Sequence, residues 1–306
     1  MTKILLFGKG GQVGWELQRS LVPLGEVVSL DFDSTDYCGD FTNLAGLADT
    51  VRAIRPDVIV NAGAHTAVDK AETEPDLVRT INALAPGALA TAAANIGAWL
   101  VHYSTDYVFD GSGSKPWLET DAPAPLSVYG HTKLEGEQLI QASGCQHLIF
   151  RTSWVFAARG GNFAKTMIRL AQERQTLKVV DDQIGAPTSA ELLADVTAHA
   201  IHQVLAQPAT KASDLKGVYH LVANGHTSWF EYAKEVLALV QNAKYDIKII
   251  ANLIEPVPSS VFPTAAQRPL NSRLDTAKLQ STFNLALPHW KPGVARMLTE
   301  FLETQK

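Results

Sequence analysis

Apolar residues in the first half of the chain fall into short unbroken runs separated by longer amphipathic stretches. Lys3 to Phe7, Val27 to Leu30, Asp57 to Asn61, Trp99 to Tyr103 and His147 to Phe150 show little apolar–polar alternation, the pattern of strands covered on both faces. After the first run Val13, Leu17, Leu21 and Leu24 recur at helical spacing. Leu44 to Ile54 reads as a second helix closed by Arg55-Pro56, and Asp76 to Thr80 as a short one. Pro86 suits the first position of the next helix, where its missing N–H costs nothing. Strands alternating with helices predict an α/β fold, a doubly wound parallel sheet with helices on both faces.

Beyond Arg151 the alternation weakens. Helices are expected over Phe163 to Glu173, Ala190 to Leu205 (capped by Ser189), Ser228 to Val240 and Val294 to Leu302. Strands are expected over Leu177 to Val180 and Val218 to Leu221, with an irregular stretch marked by Pro256, Pro258 and Pro263. The pattern divides the chain into residues 1–152, a doubly wound domain, and 153–306, a smaller α+β domain packed over its crevice. The helix near 190–205 is expected to return to the first domain.

The first strand runs into glycines 8, 11 and 14 and then a helix, and the second strand ends in Asp31. That context makes the glycines a dinucleotide signature: they permit a tight turn and close approach of a diphosphate to the helix N-terminus, while the carboxylate suits a ribose hydroxyl pair. Ligands of such sheets sit outside the carboxyl ends of the strands. The loops after Phe7, Val60 and Tyr103 therefore converge on one crevice, and the fourth strand carries Ser104-Thr105-Asp106 at its C-terminal end. Tyr129 and Lys133 are i and i+4 on a helix, so a phenol and an ammonium share one face. An ammonium beside a phenol favours the phenolate and brings a sluggish acid toward the working range. His102 and His131 have no second ligand at metal spacing and read as structural.

Composition narrows the choice. Hydrophobic residues make up 46% and charged residues 19% of 306, with a net charge of −5, which argues against binding nucleic acid or a membrane surface through charge. Two cysteines without metal spacing and no signal-like start predict a reduced, cytoplasmic protein.

Together Gly8-x-x-Gly11-x-x-Gly14, Asp31, Asn61-Ala62-Gly63-Ala64, Ser104-Thr105-Asp106 and Tyr129-x-x-x-Lys133 resemble the extended short-chain dehydrogenase/reductase family. Ala64-His65-Thr66-Ala67-Val68-Asp69, Tyr103 to Phe109, Arg151-Thr152-Ser153-Trp154-Val155, Gly185-Ala186-Pro187-Thr188 and Arg268-Pro269 are similar to its branch acting on dTDP-4-dehydro sugars. Gly10 departs from the Thr or Asn common there. The resemblance implies a Rossmann-type fold and reduction of the C4 ketone of dTDP-4-dehydro-L-rhamnose with NADPH or NADH, the last step toward dTDP-L-rhamnose for cell-surface polysaccharide. It implies Tyr129 as proton donor, Lys133 on the nicotinamide ribose and Thr105 on the ketone oxygen. Thr105, Asp106 and Trp154 would touch the sugar. Gly8, Gly11, Gln12, Val13, Gly14, Asp31, Asp40, Phe41, Ala64, His65, Thr66 and Tyr103, with Tyr129 and Lys133, would line the cofactor. Arg268 and Arg273 are candidates for the substrate diphosphate, with surface roles as the plain alternative.

Some members of this branch are dimers bridged by magnesium between glutamates. Glu16 and Glu191 look like two such ligands, and Lys291 stands where the third carboxylate is expected. An ammonium cannot ligate magnesium, so any homodimer is expected to form without metal, with Lys291 paired to Glu16 or Glu191. Rival readings are a reductase or epimerase of another nucleotide-sugar and a non-catalytic NAD(P)-binding subunit on the same fold. The intact Tyr129, Lys133 and Thr105 disfavour the latter.

Overall fold

The computed structural model describes residues 1–242 and 248–304. Five strands, β1 (Lys3–Phe7), β2 (Glu26–Leu30), β3 (Val58–Asn61), β4 (Trp99–Thr105) and β5 (Gln146–Thr152), are joined by a sixth, Gly217–His220. Their spatial order is Gly217–His220, β5, β4, β3, β1, β2, and every pairing is parallel. Alternate side chains supply two cores. Ile4, Leu6, Val58, Val60, Val101 and Leu148 face helix α1 (Gln12–Leu21) and the Ala190–Ala206 helix. Leu5, Phe7, Ile59, Leu100 and Ile149 face helix α2 (Leu44–Ile54) and the Ala85–Ile96 helix. Burial on both faces is why these strands lack a polar alternation. Each fully buried side chain of this size contributes roughly 1.5–3 kcal/mol.

Strand order reverses between β1 and β3, and the crevice opens at their carboxyl ends. There Gly8 adopts φ +83°, and a Cβ on it would lie 2.6 Å from the Gly63 nitrogen. On Gly14 a Cβ would lie 1.9 Å from the Gly8 carbonyl oxygen. These two glycines let the turn, the β3 loop and the start of α1 pack backbone against backbone.

Some elements differ from expectation and others meet it. Gly217–His220, expected in the second half, is the outer strand of the main sheet, and the Ala277–Phe283 helix packs there through Leu279 and Phe283. Local pattern carries no information about which sheet a strand joins. The Ala190–Ala206 helix lies against α1, where the Ser20 hydroxyl donates to Asp195 Oδ1 (2.6 Å). β4 continues through Ser104 and Thr105, paired to Arg151 and Thr152 of β5. Ser104 and Thr105 thus end the strand, as expected, and a neighbour satisfies their backbone.

Pro86 does not open a new helix. A continuous helical path runs from Pro75 to Ile96 and widens to a π turn over Thr80–Leu84. Proline lacks an N–H and crowds the carbonyl four residues earlier, Asn82, so the helix widens instead of kinking. Pro256 lies within a strand, Leu253–Val257, which pairs with Thr176–Val180 in a two-stranded sheet. Such an edge tolerates a missing donor. The last helix begins at Trp290, earlier than expected, with the backbone N–H of Lys291 donating to the His289 ring. It packs with the Phe163–Glu173 and Trp229–Asn242 helices around Phe156, Tyr232, Trp290, Val294 and Leu298.

Candidate active site

Three cavities run end to end along the crevice. The first, about 340 Å³, is lined by Gly8, Gly11, Asp31, Asp40, Phe41 and Ala64, among others. Asp31 Oδ2 accepts from the Gly10 N–H (2.8 Å) and Oδ1 from the Phe32 N–H (3.0 Å). A Cβ on Gly10 would sit 2.5 Å from that same Oδ2, so a glycine at this position lets the carboxylate close onto the turn. Asp40 is engaged by Thr42, which donates through both its N–H and its hydroxyl. Phe41 stands edge-on to Phe7 and against Gly63.

The second cavity, about 410 Å³, brings together Gly11, Gln12, Val13, Ala64, Thr66, Tyr103, Thr105, Asp106, Tyr129, Lys133 and Trp154. Of the residues expected at the cofactor, two only support these walls. Gly14 packs behind the turn, and His65 turns its ring toward Glu74 (3.8 Å). The backbone of His65 is clamped by Asn82: its N–H donates to Asn82 Oδ1 (2.8 Å), and Asn82 Nδ2 donates to its carbonyl (3.0 Å). The π turn thus aims Asn82 at the loop that shapes the cavity.

Tyr129 and Lys133 sit on the Val128–Ala142 helix, which Ser127 caps through the Gly130 N–H (3.2 Å). Burial pushes the Tyr129 phenol up to about 12, with Thr105 as the opposing hydrogen-bond partner. The expected effect of Lys133 on this phenol is not seen. Its Nζ donates to the Tyr103 carbonyl (2.6 Å) and lies 3.2 Å from His102 Nε2. Burial brings the Lys133 ammonium down to about 8. Asp106 is pushed up to about 6 by burial although Thr105 Oγ1 donates to it (3.1 Å), and its Oδ2 has no partner.

The third cavity, about 740 Å³, shares Tyr107 and Trp154 with the second and extends past Phe163, Lys178, Gln183, Trp229 and Arg268. Trp154 is at φ +50°, a left-handed conformation that is uncommon outside glycine. Its ring lies flat on Trp229 (centroids 3.6 Å, 12°), over Gly185, where a Cβ would meet it at 2.6 Å. Trp229 Nε1 donates to Gln183 Oε1 (3.1 Å).

The sequence model of the RmlD substrate binding domain matches residues 1–303. The chain belongs to that family. It is 59% identical over 301 residues, 98% of each chain, to the dTDP-4-dehydrorhamnose reductase of Escherichia coli K12. Among solved structures it is similar to a dTDP-4-dehydrorhamnose reductase from Clostridium acetobutylicum, with TM-score 0.87, 35% identity and full coverage of both chains. It is also similar to one from Bacillus anthracis in complex with NADP, with TM-score 0.86 and 36% identity over 98% of this chain and all of that one.

In this RmlD-family chain Arg268 lines the third cavity, and its Nη2 donates to Asp69 (2.7 Å). Arg273, the other diphosphate candidate, instead donates to the Ser114 carbonyl and is absent from that lining. Within the single chain Lys291 pairs with neither Glu16 nor Glu191: Lys291 donates to Glu235 (2.7 Å), Arg296 takes Glu191 (3.1 Å), and Glu16 lies 3.5 Å from Arg19. Among the described residues no group of three or more His, Cys, Asp or Glu is placed to hold a metal ion, and no helix is long and apolar enough to cross a membrane. Sequence reasoning missed Trp229, Gln183 and Asn82, which carry no local motif. It also missed Arg159, whose Nε donates to the Gly10 carbonyl (3.2 Å) from above the Trp15 ring.

Proposed function

We propose that the chain reduces the C4 ketone of dTDP-4-dehydro-L-rhamnose to dTDP-L-rhamnose with NADPH or NADH. The observation that carries this reading is the place of the Tyr129 and Thr105 hydroxyls in the cavity that joins the dinucleotide crevice to the Trp154–Trp229 cavity. The 59% identity across almost the full chain supports the substrate and the cofactor class.

The cradle fits a dinucleotide: Gly8 and Gly14 leave no side chain between the turn and α1, and Asp31 stands at the carboxyl end of β2. When bound, the reduced nicotinamide supplies the hydride. Turned away from Asp106, to which it donates in the free chain, the Thr105 hydroxyl would place a donor where negative charge develops on the ketone oxygen. At neutral pH Tyr129 is fully protonated. A phenol near 12 is a weak acid, yet an alkoxide is a far stronger base, so transfer runs downhill once charge builds on oxygen. Lys133 would meet the nicotinamide ribose, and Asp106 and Trp154 the sugar ring. The Trp154–Trp229 stack and Arg268 offer a flat apolar wall and a cation to the nucleotide diphosphate. We further propose that residues 1–152 chiefly hold the cofactor and much of 153–306 the nucleotide-sugar, and that the enzyme works in the cytoplasm.

Incubation with dTDP-4-dehydro-L-rhamnose and NADPH tests the proposal. Loss of nicotinamide absorbance matched by dTDP-L-rhamnose is expected. Sugar conversion without loss of absorbance would instead identify an epimerase, and no conversion at all would leave a binding subunit.

A further inference from the structure

Behind Lys133 runs a series of buried groups whose hydrogen bonds point one way. The Gly63 N–H donates to Asn61 Oδ1 (3.0 Å), which turns the Asn61 amide nitrogen toward His102 Nδ1 (3.0 Å). Nδ1 must therefore accept, and the proton of the neutral imidazole resides on Nε2. Nε2 lies 3.2 Å from Lys133 Nζ, which already donates to the Tyr103 carbonyl. An ammonium carries only N–H donors and would confront the Nε2–H head-on. A neutral amine has a lone pair for it and still donates to Tyr103. The ammonium fits beside His102 only if the imidazole proton moves to Nδ1 and the Asn61 amide turns over, which would set its NH₂ against the Gly63 N–H. Asn61, His102 and Lys133 are each at most 2% exposed.

We propose that Asn61 and His102 set the charge of Lys133, holding it as a neutral amine for as long as it rests on the imidazole. Protonation then requires Lys133 to leave His102 and turn toward the cavity. The other titratable groups around it are Tyr129 one turn earlier, Glu137 one turn later in an ion pair with Arg151 of β5, and Asp106 beyond β4. Burial acts in the same direction as the imidazole, bringing Lys133 down to about 8 against the pull of Glu137 and keeping His102 well below the usual imidazole range.

On the reductase reading, Lys133 serves the ribose and the phenol best as a cation. Its titration then limits cofactor binding and turnover on the alkaline side, and Asn61 and His102 are positioning residues that place this limit. Asn61→Asp inverts the arrangement: one carboxylate oxygen keeps the Gly63 N–H, the other accepts from Nδ1–H, and Nε2 presents a lone pair to the ammonium. His102→Leu removes the opposing N–H altogether. The test is ¹⁵N-histidine NMR together with the pH dependence of NADP⁺ affinity and of kcat/KM. Wild type should show the Nε2–H tautomer, assigned by its loss in His102→Leu, and Asn61→Asp should show Nδ1–H. In both variants the alkaline limb should move upward by about one pH unit or more, the weight of one hydrogen bond to the neutral form. An Nδ1–H tautomer in the wild type overturns the proposal, as does an alkaline limb that stays put in a variant that still binds NADP⁺. Tautomer and NADP⁺ affinity are read without turnover, so a wild type that reduces nothing counts against the reductase reading alone.

Discussion

Asp106 is expected to make the protein less stable at neutral pH, and its replacement should show by how much. The carboxyl is 3% exposed, has one oxygen without a partner, and is raised from an ordinary 3.8 to about 6. A raised carboxyl favours the folded state fully below pH 3.8, and that contribution is lost as pH rises through 6. The gap of about two pH units, at about 1.4 kcal/mol each, makes the ionised form cost on the order of 3 kcal/mol above pH 6. Asp106→Asn keeps an oxygen to accept from Thr105 and cannot ionise. Urea unfolding at pH 7.5 should therefore give a variant more stable by about 1–3 kcal/mol, with the gain shrinking to nothing below about pH 4. The same variant should bind sugar less well, since a site residue is held at a cost to stability. A variant no more stable at pH 7.5, or a gain that persists undiminished at pH 4, would refute the reasoning.

Tyr129→Phe should lower kcat by about 10²–10⁴-fold while NADP⁺ affinity stays near wild type, because only the acidic proton is lost; near-normal kcat would mean that the acid lies elsewhere. NADH and NADPH should give kcat/KM values within about tenfold, roughly 1.4 kcal/mol. Asp31 favours a free 2′-hydroxyl, and its carboxylate is already occupied by the Gly10 and Phe32 N–H groups; a ratio of several orders of magnitude would contradict this. Any dimer should sediment with the same mass with and without EDTA, since Lys291 stands where the resemblance implies a third carboxylate and, within the chain, Arg296 occupies Glu191. Dissociation on chelation would show a metal bridge after all.

The sheet and the cofactor end of the site were legible in the sequence because their signals are local. A doubly buried strand must be continuously apolar, a diphosphate turn needs glycines at Gly8 and Gly14, and a shared helix face is fixed by the four-residue spacing of Tyr129 and Lys133. The Leu44–Ile54 and Phe163–Glu173 helices fall where periodicity places them. What only the tertiary structure decided depends on partners far apart in the chain. Gly217–His220 joined the main sheet because β5 offered a free edge. Pro86 widened a helix rather than starting one, and so aimed Asn82 at His65. Lys133 was expected to act on Tyr129, its neighbour along the helix, yet it is held by His102 and the Tyr103 carbonyl of β4. Spacing along a helix says which side chains share a face. Which of them a buried amine touches is settled by the polar groups that the neighbouring strand presents, because a polar group removed from water must find a hydrogen-bond partner within reach.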